Sequence, residues 1–148
     1  MSAYTTLLGN QIQTKAGLAP TDDALNGKKV VGIYFSAHWC PPCRAFTPEL
    51  ATFYEDLVDF HDDVELVFVS SDKEIEGFTG YWDEMPFPAL PYEDRERKAT
   101  LVETFGVGKI PALVFVDEAG TVLTKDGVKM LQSARGSVDF VRNELIKQ

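Results

Sequence analysis

The chain has 148 residues and carries 23 Asp and Glu against 14 Lys and Arg, a net charge of −9. That balance gives no support to binding a phosphate backbone, and no Walker-type loop or G-x-G-x-x-G cradle serves a nucleotide. No run of about 18 apolar residues exists to span a membrane. A hydrophobic content of 45% over this length suffices for one domain with a full core, taken here as residues 1–148.

Leu7-Leu8 and Gln11-Ile12-Gln13-Thr14 flank Gly9-Asn10 and read as a small hairpin. Thr21 to Leu25 reads as a helical turn with Thr21 as its cap, ended by Asn26-Gly27. Val30 to Ser36 is apolar at nearly every position, the pattern of a central strand covered on both faces. Trp39-Cys40-Pro41-Pro42-Cys43 follows and holds the only two cysteines. A helix begins there, with Phe46, Leu50, Phe53, Tyr54 and Leu57 at three- and four-residue steps and a kink expected at Pro48. Val64 to Ser70 is a second buried strand, so the strand–helix–strand order implies a right-handed parallel crossover.

Asp72 is placed to cap a helix that buries Ile75, Phe78, Trp82 and Met85. Pro86, Pro88 and Pro91 stop that helix and hold an extended loop. Arg95 to Phe105 forms the next helix, with Leu101, Val102 and Phe105 inward and Gly106 as its C-terminal signal. Arg95, Arg97 and Lys98 read as a solvated basic face. Ala112 to Val116 and Thr121 to Leu123 form a hairpin around Glu118-Ala119-Gly120. Ser137 caps a last helix that aligns Val138, Val141 and Leu145.

Two thiols at C-x-x-C spacing, where a strand hands over to a helix, are the layout of a dithiol that cycles with a disulfide. One thiolate attacks a partner disulfide, and the second reaches back to the same sulfur and releases the partner. Cys40 at the helix start faces backbone N–H groups and the positive end of the dipole, which favours its thiolate. It is assigned as the attacking thiol and Cys43, one turn further in, as the resolving thiol. Pro41 suits the first helical position, Pro42 completes the turn, and Trp39 shields one side. Arg44, and His38 when protonated, add positive charge.

A zinc site completed by His38 and His61 fails on distance, because His61 lies roughly 27 Å along the helix from Cys43. A structural disulfide across two intervening residues would close too small a loop to restrict the unfolded chain. No metal or cofactor is therefore expected. The segment from Met1 to Thr6 lacks the basic and apolar regions of a secretory signal. A pair of cysteines without a staple framework fits a reducing compartment, so the cytosol is expected, with the nucleus open.

Ile110-Pro111 precedes a buried strand, and the residues alone leave its peptide bond open between cis and trans. A cis bond would set the Ile110 backbone beside Cys40, ready to pair with an extended substrate.

The ordered pieces Tyr34 to Arg44, Phe46-Thr47-Pro48, Val69-Ser70-Ser71-Asp72, Met85-Pro86-Phe87, Pro91-Tyr92 and Gly108 to Pro111 resemble the tryparedoxin and nucleoredoxin branch of the thioredoxin-fold proteins. The resemblance runs from about Leu7 to Leu131. It implies an α/β, thioredoxin-like fold, with a central mixed sheet flanked by helices on both faces and an N-terminal β-hairpin. It also implies cis at Pro111 and dithiol–disulfide exchange through Cys40 and Cys43. The implied function is reduction of protein or small-molecule disulfides through a mixed disulfide at Cys40, with an external reductant and a monomeric enzyme. The alternative is a redox-gated protein-binding module of nucleoredoxin type.

Three departures from that pattern stand out. Ordinary thioredoxins keep a buried Asp where this chain has Tyr34, which leaves Asp72 as the nearest acidic candidate for a proton relay, against its reading as a helix cap. A tryptophan of trypanosomal tryparedoxins corresponds to Ser71. Basic residues that hold a cationic, glutathione-derived substrate correspond to Asp126 and Val128.

Overall fold

The computed structural model describes residues 2–146. In chain order the elements are α1 (Ala3–Leu8), β1 (Gln11–Thr14), β2 (Gly17–Pro20), α2 (Thr21–Ala24), β3 (Val30–Ser36), α3 (Pro41–Phe60) and β4 (Val64–Ser70). They continue with α4 (Ile75–Trp82), α5 (Arg95–Phe105), β5 (Ala112–Asp117), β6 (Val122–Thr124), α6 (Gly127–Ser133) and α7 (Val138–Ile146).

A four-stranded sheet in the order β4-β3-β5-β6 forms the centre. β3 is parallel to β4 and antiparallel to β5, and β5 is antiparallel to β6. All seven residues of β3 are buried, because its alternating side chains feed two cores. Val30 and Tyr34 join Leu66, Phe68, Leu113 and Phe115 beneath α3, α4 and α7. Val31, Ile33 and Phe35 join Val67, Val69, Val114 and Val116 beneath α1 and α5. On α3, Phe46, Leu50, Phe53 and Leu57 face the sheet, and the helix continues through Pro48.

Four expectations are corrected. Leu7-Leu8 belong to helix α1, not to a hairpin arm: Ser2 Oγ accepts from Thr5 N at 3.2 Å, and Gly9 ends the helix at φ +87°. The N-terminal hairpin exists, but its strands are β1 and β2, turning at Lys15-Ala16. Thr21 is the first residue of α2 and spends its hydroxyl on Gly9 O at 2.5 Å, so it caps nothing. On α4, Ile75 is exposed while Phe78 and Tyr81 are buried, and Met85 lies beyond the helix end. The proline-rich loop is extended, with Pro88 to Leu90 hydrogen-bonded to Phe68 on one side and Gln13 on the other, which ties the small hairpin to the sheet.

Gly32 sits at the centre of β3, where a Cβ would stand 2.6 Å from Leu66 Cδ2 and 2.7 Å from Phe115 Cε1. Two packed core side chains would have to move. Gly32→Ala should destabilise the fold by about 1–3 kcal/mol, the usual cost of overpacking. A denaturant midpoint equal to that of the parent chain would contradict this packing.

Candidate active site

The ends of three strands place the site. Ser36, last in β3, pairs in register with Ser70, last in β4, while Phe35 pairs with Ala112, first in β5. The segments Ala37–Cys40, Ser71–Asp72 and Ile110–Pro111 therefore leave or enter the sheet at one edge. Ser71 N donates to Ser36 O at 2.8 Å and Trp39 Nε1 donates to Ser71 O at 3.1 Å, which joins the first two segments.

Asp72 is the clamp between them, and its reading as a helix cap is overturned. Its Oδ1 accepts from His38 N at 2.9 Å and its Oδ2 from Ser70 Oγ at 2.7 Å. Helix α4 starts three residues later behind Glu74, with no side-chain cap. The carboxylate is drawn to the His38 N–H because β3 delivers that donor beside the end of β4. Tyr92 Oη donates to Asp72 O at 2.8 Å. Arg95 is not part of a solvated face: its Nη1 donates to Ser70 O at 2.9 Å and its guanidinium lies 3.9 Å from the centre of the Tyr92 ring.

Cys40 is the N-cap of α3 in extended conformation, and Arg44 N donates to Cys40 O at 3.1 Å. Pro41 and Pro42 fill the first two helical positions and have no N–H, so Cys43 N–H is the first donor of that turn. The dipole argument thus works through fewer amides than the spacing alone suggests. Both cysteines are free thiols. Cys40 Sγ lies 3.8 Å from Ile110 O, and the Ile110-Pro111 peptide bond is cis. Cys43 has no exposed surface. Burial pushes its thiol up to about 11, a hydrogen bond with Cys40 adds to the rise, and the Ser36 hydroxyl and Ala37 N–H oppose it.

Trp39 stands at the surface, 53% exposed, so it flanks Cys40 and does not enclose it. Arg44 and His38 face a cleft on the other side of the motif, shared with Thr47, Tyr81 and Glu84. His61 caps the far end of α3 and pairs with Asp139 at 2.8 Å, remote from the thiols. Beside the cis proline lies a larger cleft whose lining includes Lys109, Pro111, Lys125, Asp126, Val128 and Lys129.

The sequence reading missed a group of buried hydroxyls under Cys43. Thr47 Oγ1 donates to Cys43 O at 2.9 Å and lies 2.7 Å from Tyr34 Oη and 2.5 Å from Tyr81 Oη. Tyr81 Oη in turn lies 2.7 Å from Ser36 Oγ. One signal was available: Tyr34 and Ser36 are the polar-tipped side chains of an otherwise apolar strand, and both point to the same face.

A family model described as thioredoxin-like matches residues 27–122. Probable nucleoredoxin 1 of Arabidopsis thaliana is 44% identical over 117 residues, which cover 79% of this chain and 20% of that protein. The chain thus spans only about a fifth of that curated relative. The solved structure of tryparedoxin from Trypanosoma brucei superposes with a TM-score of 0.85 at 33% identity, over 95% of this chain and 97% of that one. A tryparedoxin II structure complexed with glutathionylspermidine gives a TM-score of 0.81 at 36% identity, over 88% and 90% of the two chains. With the family model over most of the chain and relatives of this identity, the chain belongs to the thioredoxin-like family, in the branch of the tryparedoxins and nucleoredoxins.

Proposed function

We propose that this chain is a disulfide reductase that works through Cys40 and Cys43. The unequal settings of the two sulfurs carry this reading. Cys40 is 6% exposed and its Sγ lies beside the cis Ile110-Pro111 bond, while Cys43 has no exposed surface one turn below and keeps its proton at neutral pH. The Cys40 thiolate attacks one sulfur of a substrate disulfide, and the other substrate sulfur leaves as a thiolate. Cys43 then loses its proton and attacks Cys40 Sγ, so the second substrate sulfur departs with the electron pair of the mixed disulfide. The dithiol has given up two electrons, and a separate reductant must return them.

Ile110 offers its backbone at the cis bond to an extended segment beside the disulfide, with Pro111 shaping the wall and Trp39 flanking it. The cleft lining carries Lys109, Lys125 and Lys129 against the single carboxylate of Asp126. That balance favours neutral or acidic substrate flanks over the polyamine conjugate held by tryparedoxin II. Every group in the reading lies on one chain, residues 1–148 acting as one unit, so a single copy suffices. Exchange of this kind belongs in a reducing compartment, the cytosol or nucleus.

Cys40→Ser should reduce insulin no faster than the uncatalysed background, whereas Cys43→Ser should accumulate a covalent adduct through Cys40. Turnover by the Cys40→Ser chain would sink the assignment. A double serine variant that still captured partner proteins, from a parent chain without multiple turnovers, would favour a redox-gated binding module.

Iodoacetamide at neutral pH should label Cys40 alone, as located by peptide mass. Cys43 should follow only as the pH climbs toward about 11, because its thiolate fraction rises tenfold per unit below that value. Equal labelling of both at neutral pH would show that burial does not separate them.

A further inference from the structure

The order of the strands also orders the charges around Cys40. At the edge that holds the site, β4 ends ahead of Lys73 and β3 ends ahead of Cys40. At the same edge β5 begins just after Ile110-Pro111, and the antiparallel β6 ends ahead of Lys125. A line along the edge therefore passes Lys73, Cys40, Lys109-Ile110 and Lys125 in turn.

Toward β4, Lys73 Nζ lies 5.8 Å from the centre of the Trp39 ring. Toward β5, Ile110 O lies 3.8 Å from Cys40 Sγ. Beyond it the cleft that includes Pro111, about 930 Å³ in volume, is lined by Lys109, Lys125 and Lys129. All four lysines are exposed, and among the described residues none has a salt bridge or side-chain hydrogen bond. By contrast, Lys15 and Lys28 donate to backbone carbonyls and Arg142 to Asp63. Against the four stand Glu74 and Asp126 at the surface, and Asp72 beneath it with both oxygens occupied. The net charge of −9 belongs to the whole chain. Its field is screened beyond about 8 Å at physiological ionic strength, so the lysines at the edge govern what a docked segment meets.

We propose that Lys73, Lys109, Lys125 and Lys129 make this chain select disulfides in acidic segments, with carboxylates on both sides of the reacting cysteine. The inference rests on the reductase reading above and names its substrate class. A segment paired with the Ile110 backbone runs along the edge. One flank of its cysteine meets Lys73 beside Trp39, and the other meets the lysines of the cleft. Exposed ion pairs are individually weak, so each contact should be worth only about two- to fivefold in kcat/KM. Selection comes from several of them acting on one substrate.

The test uses disulfide-linked peptide dimers of equal length that carry Glu, Gln or Lys on both sides of a central cysteine. With dithiothreitol as electron source at low salt, the parent chain should reduce the Glu peptide with a kcat/KM about tenfold above that of the Gln peptide. The Lys peptide should fall below both, and added sodium chloride should shrink the spread. Lys125→Glu combined with Lys129→Glu should bring the Glu-to-Gln ratio to one or below. Lys73→Gln should lower that ratio about two- to fivefold. A merely structural role for these lysines would slow all three peptides alike. A ratio near one in the parent chain, or a ratio that survives the charge reversal, overturns the proposal. If the reversed chain does not fold, Lys73→Gln combined with Lys109→Gln supplies the same comparison. Failure of the parent to reduce any peptide defeats the reductase reading instead. Fluorescence anisotropy then decides the present proposal: the chain with Cys40→Ser and Cys43→Ser should bind serine versions of the peptides in the order Glu, Gln, Lys, and equal affinities overturn it.

Discussion

The register that sets Ser36 opposite Ser70 governs both the core and the site. Parallel pairing makes β3 and β4 end at one edge, and the antiparallel β5 begins at that edge. The segments that leave this edge carry the thiols, the Asp72 clamp and the cis proline. Sliding β3 by one residue would turn Val31, Ile33 and Phe35 onto the opposite face, in conflict with both cores. It would also turn Ser36 away from Tyr81. Hydrophobic burial on two faces therefore protects a chemical arrangement to which it contributes no reactive group.

The two thiols differ through what surrounds them more than through their order in the chain. Cys40 opens the helix at the sheet edge, next to the Ile110 carbonyl. Cys43 is closed in by β3 and α4, and its neighbours there are neutral hydroxyls with satisfied hydrogen bonds. Losing one such partner would expose a buried oxygen to a penalty of about 1–3 kcal/mol. Asp72 supplies fixed geometry at the edge, since it joins the backbone after β3 to the end of β4. Arg95 strengthens the same corner from α5 through the Ser70 carbonyl.

The sequence carries the parts that local pattern controls. The unbroken apolar run of β3, the three- and four-residue steps of α3, and the Gly106 stop of α5 all translate directly into structure, as does the proline before β5. Helix α1 is too short to show a period, so the Gly9-Asn10 turn signal dominated its reading. Helix α6 went unread because its reason is tertiary: a Cβ on Gly127 would stand 2.6 Å from Leu113 O, so a residue that normally argues against a helix opens one. In the site, the spacing of Cys40 and Cys43 is visible at once. Asp72 misleads because a carboxylate just ahead of a helix resembles a cap, while its partner His38 N arrives from another strand. Ser36, Thr47 and Tyr81 come from three separate elements, and only the folded chain brings their oxygens together.

The aromatic packing around Tyr34 explains why these hydroxyls are neutral. Its ring centre lies 5.9 Å from that of Phe46 and 6.2 Å from those of Phe68 and Phe87. A carboxylate in that place would lose its hydration among apolar rings, at an effective cost of several kcal/mol without a charged partner. The phenol fills the volume, finds Thr47 for its hydroxyl, and is held in its protonated form by burial. The same burial raises Tyr81. Neither ring is then a base at physiological pH, and both remain donors throughout. The groups packed beside Cys43 are thus neutral hydroxyls, and burial, more than any neighbouring charge, holds the proton on its sulfur.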